Sequence, residues 1–103
     1  MAEQTVLPPP TMPPEVRAFA FAKDAGPYLP AVIDLTRRVF PSSELAVSLG
    51  EDAEDETHRY VALDVEVSGL DINELLAAQR AWSAGLVSIC PSRYAIYFVL
   101  GWR

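Results

Sequence analysis

The sequence predicts an α+β domain in which a three-stranded mixed sheet carries three helices on one face. Between residues 29 and 40 and again after residue 70, apolar residues recur at three- and four-residue intervals, the spacing of a buried helix face, and Pro14 with the alanines that follow it favours a further helix before them. Between residues 44 and 67 they alternate with polar residues, which is typical of strands with one buried face. The closing segment, 94–102, is apolar on both faces. The predicted element order is therefore ααββαβ.

Length and charge limit the classes of partner. The chain has 103 residues, half of them hydrophobic, and a formal net charge of −6, which suits one folded domain. An acidic chain lacks the cationic surface that neutralises phosphates, so we expect no nucleic-acid partner. The longest apolar run, 94–100, is too short to span a bilayer, so we expect no membrane partner. Cys90 is the only cysteine and allows no internal disulfide, which favours a cytoplasmic location.

The N-terminal segment is rich in proline. Five of the nine prolines fall between residues 8 and 14, so we predict an extended arm over residues 1–13 and a single α+β domain over residues 14–103. Pro14 suits the first turn of a helix. Phe19 and Phe21 alternate with alanines, however, and a strand over residues 16–22 would give the ferredoxin-like order βαββαβ. Alanine is a weak strand former, so the helix is favoured and is expected to end at Gly26.

The second helix and the two middle strands follow from periodicity. Pro27 and Pro30 suit a first helical turn, and Pro41 ends the segment. The expected buried residues of this helix are Leu29, Val32, Ile33, Thr36, Val39 and Phe40. The strands alternate so that Leu45, Val47 and Leu49, and then Arg59, Val61, Leu63, Val65 and Val67, face one side.

The third helix begins after Asp71, which is a good N-cap residue, and Pro91 ends it. Its expected core stripe is Ile72, Leu75, Leu76, Gln79, Trp82, Leu86 and Ile89. The helix should cross over and bring the last strand parallel to its predecessor.

The last strand carries the main functional prediction. Ile96, Phe98 and Leu100 should face the helices, which leaves a second set of side chains on the outer face. That set is Tyr60, Ala62, Tyr97 and Val99. Burial beneath the first helix or the N-terminal arm is one explanation for it. Contact with a second polypeptide, through the outer face or along the open edge of the sheet, is the other.

The segment between the two middle strands is strongly acidic. It contains Glu51, Asp52, Glu54, Asp55 and Glu56, and we interpret it as a solvated loop that could attract a basic partner. Its spacing lacks the glycine and terminal glutamate of a calcium-binding loop. His58 is the only histidine, and no nucleophile motif or phosphate-binding glycine loop is present. We therefore predict no catalytic residue, no metal and no cofactor.

These features favour a noncatalytic protein–protein interaction module that binds through its sheet. It would act either as a homodimer or as an acidic neutralising subunit, of the kind an antitoxin or inhibitor provides. The alternative is a small-ligand-binding protein or enzyme. Its pocket would lie between the helices and the sheet, or at a dimer seam, lined by Trp82, Tyr94 or Tyr97.

Overall fold

A computed structural model of the chain describes residues 11–55 and 58–103. The helices are α1 (Pro14–Ala22), α2 (Leu29–Val39), α3 (Ile72–Ile89) and the short α4 (Ser92–Ala95), and the strands are β1 (Leu45–Glu51), β2 (Arg59–Val65) and β3 (Phe98–Trp102). A 3₁₀ turn, Gly26–Tyr28, precedes α2. The α+β class and the order ααββαβ are confirmed, and α4 adds one helical turn before the last strand. Residues 1–10 of the predicted arm lie outside the described residues.

The sheet has the order β1-β2-β3, with β1 antiparallel and β3 parallel to the central strand. Leu63 lies at its middle, opposite Val47 on one side and Leu100 on the other. Paired residues point to the same face of a sheet, so odd-numbered β1 and β2 residues share a face with even-numbered β3 residues. This face meets the helices.

The core lies between that face and the helices. Val61, Leu63 and Val65 of β2 are almost fully buried, as their alternation predicts. The helices contribute Val16 and Ala20 from α1, Val32 and Leu35 from α2, and Trp82 and Leu86 from α3 to the same hydrophobic cluster. One face of the sheet is therefore covered by all three main helices.

Residues 14–22 form a helix, and the strand that a ferredoxin-like order requires is not observed. Val16 and Ala20 lie one turn apart and are both buried, whereas Phe21 is exposed. The helix ends before the predicted Gly26, because Asp24 adopts a left-handed φ of 59° and the Ala25 N–H donates to the Ala20 carbonyl.

Helices α2 and α3 lie side by side. Gly85 of α3 sits against Leu35 so closely that a Cβ there would overlap the leucine side chain. Residues 40–44 join α2 directly to β1, whereas α3 joins β2 to β3. A crossover helix packs over the strands that it joins, so α3 is expected over the β2–β3 side of the sheet, whereas α1 contacts β1.

Part of the predicted core stripe of α3 is exposed. Trp82 and Leu86 are buried, but Ile72 and Leu76 are 64% and 43% exposed, and Gln79 is exposed as well. The predicted stripe is wider than the surface that the sheet and α2 cover, so its far flank faces solvent. The prediction that Ile72, Leu76 and Gln79 are core residues was wrong.

The last strand begins at Phe98, four residues later than predicted. The Pro91 carbonyl accepts hydrogen bonds from the N–H groups of Tyr94 and Ala95, which closes the turn of α4. The Tyr94 ring packs on Tyr28 with centroids 5.3 Å apart. Ile96 therefore precedes the strand and is exposed, instead of facing the helices. In the described part of the chain, every helix is too short or too polar to cross a membrane.

Candidate interaction surface

Most of the exposed large apolar side chains belong to the C-terminal third of the chain. Among the described residues, seven large hydrophobic side chains are exposed, and six of them belong to α3, β3 or the segment between them. We call these six the α3–β3 surface: Ile72, Leu76, Val87, Ile96, Val99 and Trp102. The seventh is Phe21, on α1.

The helical part of this surface is the flank of α3 that faces away from α2. A helix turns by about 100° per residue, so Leu76 and Val87 lie roughly 180° and 160° around the axis from Gly85. Gly85 is the residue packed against Leu35 of α2. Val87 is 76% exposed. This flank of α3 is therefore uncovered by the described residues, and its large side chains are apolar.

The strand part of the surface is a free sheet edge. The Val61 N–H donates to the Tyr97 carbonyl at 2.7 Å, and the Arg103 N–H donates to the Val65 carbonyl at 3.0 Å. In a strand, every second residue directs its backbone N–H and C=O groups to the same neighbouring strand. The odd-numbered residues of β3 bond to β2, so the backbone groups of the even-numbered residues point away from it. The N–H and C=O groups of Phe98, Leu100 and Trp102 thus face outward. Within the described ranges, no strand pairs with this edge.

The surface is nearly free of charge. Residues 72–102 contain only Glu74, Arg80 and Arg93 among the 22 charged residues of the chain, which gives this segment a net charge of +1. Since the whole chain carries a net charge of −6, the remainder carries −7. Interface centres are depleted in charged residues, and this segment shares that composition.

The outer face of the sheet carries three of the four predicted contact residues. Tyr60, Ala62 and Val99 point away from the helices, and Ala62 lies directly beside Val99. Tyr60 leans across Gly50, where a Cβ would overlap its ring, and only Val99 of the three is exposed. No described element covers this face, and its other side chains are mostly small.

Tyr97 does not join that face. Its ring meets Phe19 of α1 edge-on with centroids 5.8 Å apart, and the Lys23 ammonium lies 6.0 Å from its centroid. Tyr97 sits in the turn before β3, so the strand alternation that would have pointed it outward does not reach it. Its placement on the outer face beside Val99 was wrong.

The acidic segment turns back on itself through local hydrogen bonds. The Asp52 carboxylate accepts the Glu54 N–H at 2.8 Å, and the Asp55 carbonyl accepts the His58 N–H at 3.0 Å. Glu51 ends β1 and pairs with Arg59 at 3.4 Å. The side chains of Glu51, Asp52, Glu54 and Asp55 are all exposed, whereas Glu56 lies outside the described residues. Across the described positions, no three His, Cys, Asp or Glu side chains form a cluster that could hold a metal.

The larger open clefts among the described residues lie elsewhere. An apolar groove of about 510 Å³ runs between α1 and α2, lined by Met12, Arg17, Phe21, Leu29 and Ile33 among others. A polar cleft of about 470 Å³ is lined by Ser42, Ser43, Glu44, Glu66 and Ser68 among others. The Ser68 N–H donates to the Glu66 carboxylate at 2.7 Å, which lowers the pKa of Glu66, and Arg103 lowers that pKa further.

The residues that the ligand alternative would use are not gathered in one place. Trp82 is buried in the core, Tyr94 packs on Tyr28, and His58 and Glu66 lie at opposite ends of β2. Cys90 is also buried, and this burial raises the pKa of its thiol. A buried thiol with a raised pKa is a poor nucleophile.

The sequence interpretation missed most of the α3–β3 surface. It assigned Ile72 and Leu76 to the core, and it gave no role to Val87 or Trp102. The signal was present in α3, whose 18 residues include only Glu74 and Arg80 as charged side chains. A surface helix with one covered flank normally carries more charge on the other.

No protein-family model, curated protein or solved structure matches this chain. A functional proposal must therefore come from the chain's own surfaces.

Proposed function

We propose that this chain is a noncatalytic interaction module that contacts another polypeptide through its α3–β3 surface. The observation that carries the proposal is that six of the seven exposed large hydrophobic side chains of the described residues belong to α3, to β3 or to the segment that joins them. Contiguous apolar patches on small domains are typically interaction sites. This proposal uses the open edge of the sheet in preference to its outer face.

The edge of β3 supports the proposal independently of hydrophobicity. Unpaired N–H and C=O groups on an edge strand are a template for strand addition. β3 has no charged residue and no proline, the two features that commonly protect a free edge. Trp102, 40% exposed, stands at the end of this edge and could anchor a contact.

The absence of catalysis is part of the same proposal. Its support is that Cys90 is buried with a raised pKa and that the polar residues of β2 are spread along the strand. We also propose a cytoplasmic location, because the single buried thiol requires no oxidising compartment.

Site-specific photo-crosslinking tests this function. A photoreactive amino acid at Val87, on the α3–β3 surface, is compared with the same residue at Phe21, which is equally exposed on α1. Both full-length variants are produced in the native cells, and their adducts are identified by mass spectrometry. We expect one reproducible polypeptide adduct at position 87 and none at position 21. No adduct at 87, or the same adducts at both positions, would refute the proposal.

A basic partner is a second candidate, favoured by the exposure of the four acidic side chains that the structure describes in this segment. Glu51, Asp52, Glu54 and Asp55 all face solvent, and this position would accelerate association with a cationic protein. The chain would then act as an acidic neutralising subunit. The adduct partner from the crosslinking experiment should bind more slowly as salt is raised. A rate that does not change with salt would eliminate this candidate.

A further inference from the structure

We propose that the polypeptide on the α3–β3 surface is a second copy of this chain, joined by antiparallel pairing of β3 with β3 about a twofold axis at Leu100. The inference rests on the proposed function and names its partner. A twofold interface must be self-complementary, because the same patch serves both copies. Both β3 and α3 meet this requirement.

The residue register of β3 makes the strand self-complementary. Leu100 is the middle residue of β3, and the three residues with outward backbone groups are Phe98, Leu100 and Trp102. With Leu100 on the axis, Leu100 faces itself and Phe98 faces Trp102 of the second copy. These are the hydrogen-bonded positions of an antiparallel pair, so about six backbone hydrogen bonds form. Val99 falls opposite Gly101, which has no side chain to obstruct it. The two sheets become one.

The exposed flank of α3 is also self-complementary, because of the spacing of its residues. The axis also relates the two α3 helices antiparallel to each other above the joined sheet. If they cross between Gln79 and Arg80, near the middle of the helix, Ile72 lies against Val87 of the second copy. Leu76 then lies against Ser83. Ile72 and Val87 are thus paired across the axis, Leu76 meets a small side chain, and the Arg80 side chains of the two copies flank the axis.

Charge and size also suit a second copy. Two chains of net charge −6 repel each other, but the residues that would meet belong to a segment with a net charge of +1. The side of the molecule formed by α3 and the edge of β3 is about 27 Å long and about 20 Å high. Each copy therefore buries roughly 500 Å² of its partner's surface in the dimer. The total of roughly 1,000 Å² is near the lower limit of specific interfaces. We therefore expect a dimer that dissociates on dilution.

Sedimentation velocity of the full chain between about 1 µM and about 1 mM tests the dimer. Val87→Lys places a charge in the interface twice, once from each copy, and should raise the dimer dissociation constant at least about tenfold. Phe21→Lys is the matched control, since Phe21 is 82% exposed but lies on α1. It should leave the constant unchanged.

A proline pair tests the strand edge. Leu100→Pro removes an outward N–H, and the monomer loses no sheet hydrogen bond. Leu49→Pro does the same at the free edge of β1, because the neighbouring bonds of Glu44 and Asp52 show that even-numbered β1 residues bond to β2. We expect Leu100→Pro to be monomeric and Leu49→Pro to dimerise like the parent. Circular dichroism verifies that both variants fold. If Leu100→Pro is unfolded, the dissociation constant of Val87→Lys alone tests the dimer.

A parent chain that stays monomeric over the whole range, or a Val87→Lys variant that dimerises like the parent, would overturn the inference. The proposed function fails separately. A monomeric parent chain that still gives an adduct with a different polypeptide at position 87 refutes only the second copy. A monomeric chain with no adduct refutes both.

Discussion

The Trp82 indole N–H donates to the Thr36 hydroxyl at 2.9 Å, and this bond joins α3 to α2 inside the core. The Thr36 hydroxyl in turn donates to the Val32 carbonyl at 2.8 Å. Among the described residues, every buried side-chain nitrogen or oxygen has a partner. Thr36 is the only polar residue among the buried residues of α2. Its hydroxyl supplies the hydrogen-bond acceptor that the buried Trp82 indole N–H needs.

Replacing this threonine tests the bond. Thr36→Val keeps the shape but leaves the indole N–H unsatisfied, so we expect a loss of about 1–3 kcal/mol in the free energy of unfolding. Thr36→Ser keeps the hydroxyl and loses one methyl group, which should cost about 1 kcal/mol. Urea denaturation measures both. A Thr36→Val variant as stable as the parent would show that the hydrogen bond contributes nothing.

The contact between Gly85 and Leu35 tests how closely α2 and α3 pack. Gly85→Ala should raise helix propensity by about 1 kcal/mol, but the new Cβ would overlap the buried Leu35 side chain. Overpacking costs about 1–3 kcal/mol, so we expect net destabilisation. Gly69→Ala is the control, because nothing lies within 4 Å of its Cβ position. Thermal melts in which Gly85→Ala is more stable than the parent would contradict this packing.

The two flanks of α3 should differ in their contribution to monomer stability. Leu86 is buried, and Leu86→Ala should cost about 2–5 kcal/mol. Leu76 is exposed, and Leu76→Ala should change monomer stability by less than about 0.5 kcal/mol. Denaturation at low protein concentration separates this effect from association. Equal losses would mean that both flanks lie in the core.

Acid should destabilise the fold through two carboxylates that accept backbone hydrogen bonds. The Glu74 N–H donates to Asp71 at 2.8 Å and lowers its pKa below 3.8, and the Ser68 N–H lowers the pKa of Glu66 below 4.5. A carboxylate whose pKa is lowered by folding stabilises above its unfolded pKa and loses that effect as pH falls through its folded pKa.

Urea stability should therefore decline as the pH falls below 4.5. Asp71→Asn and Glu66→Gln should each make the decline shallower, because an amide does not titrate. Asn remains a good N-cap, so the helix itself is retained. An unchanged pH dependence in both variants would assign the acid sensitivity to other groups.

The fold was predictable where periodicity and capping agreed. Alternation placed Val61, Leu63 and Val65 on the buried face, and Asp71 indeed caps α3. The start of β3 was not predictable in this way, because Tyr94–Ile96 are apolar and fit either a strand or a helical turn. The Pro91 carbonyl and the packing of Tyr94 on Tyr28 decide it, and these are tertiary contacts.

The candidate surface was only partly predictable for a related reason. Hydrophobic spacing identifies the apolar arc of a helix, but it does not say how much of that arc other elements cover. On α3 the arc extends from Gly85, against Leu35, to Ile72 and Leu76 in solvent. The sequence analysis predicted outward-facing apolar side chains at Tyr60, Ala62, Tyr97 and Val99, left either buried by the chain's own elements or in contact with a second polypeptide. In the structure only Val99 of these four is exposed, and most of the other exposed large apolar side chains lie on α3, at Ile96 and at Trp102.

Amide hydrogen exchange of the full chain, followed by NMR at low and high protein concentration, tests the paired β3 edge most directly. The outward amides of Phe98, Leu100 and Trp102 report on that edge, and those of Leu45, Val47 and Leu49 report on the free edge of β1. We predict that exchange at the β3 positions slows as concentration rises, while exchange at the β1 positions stays fast. Equally fast exchange at both edges at every concentration would contradict the account.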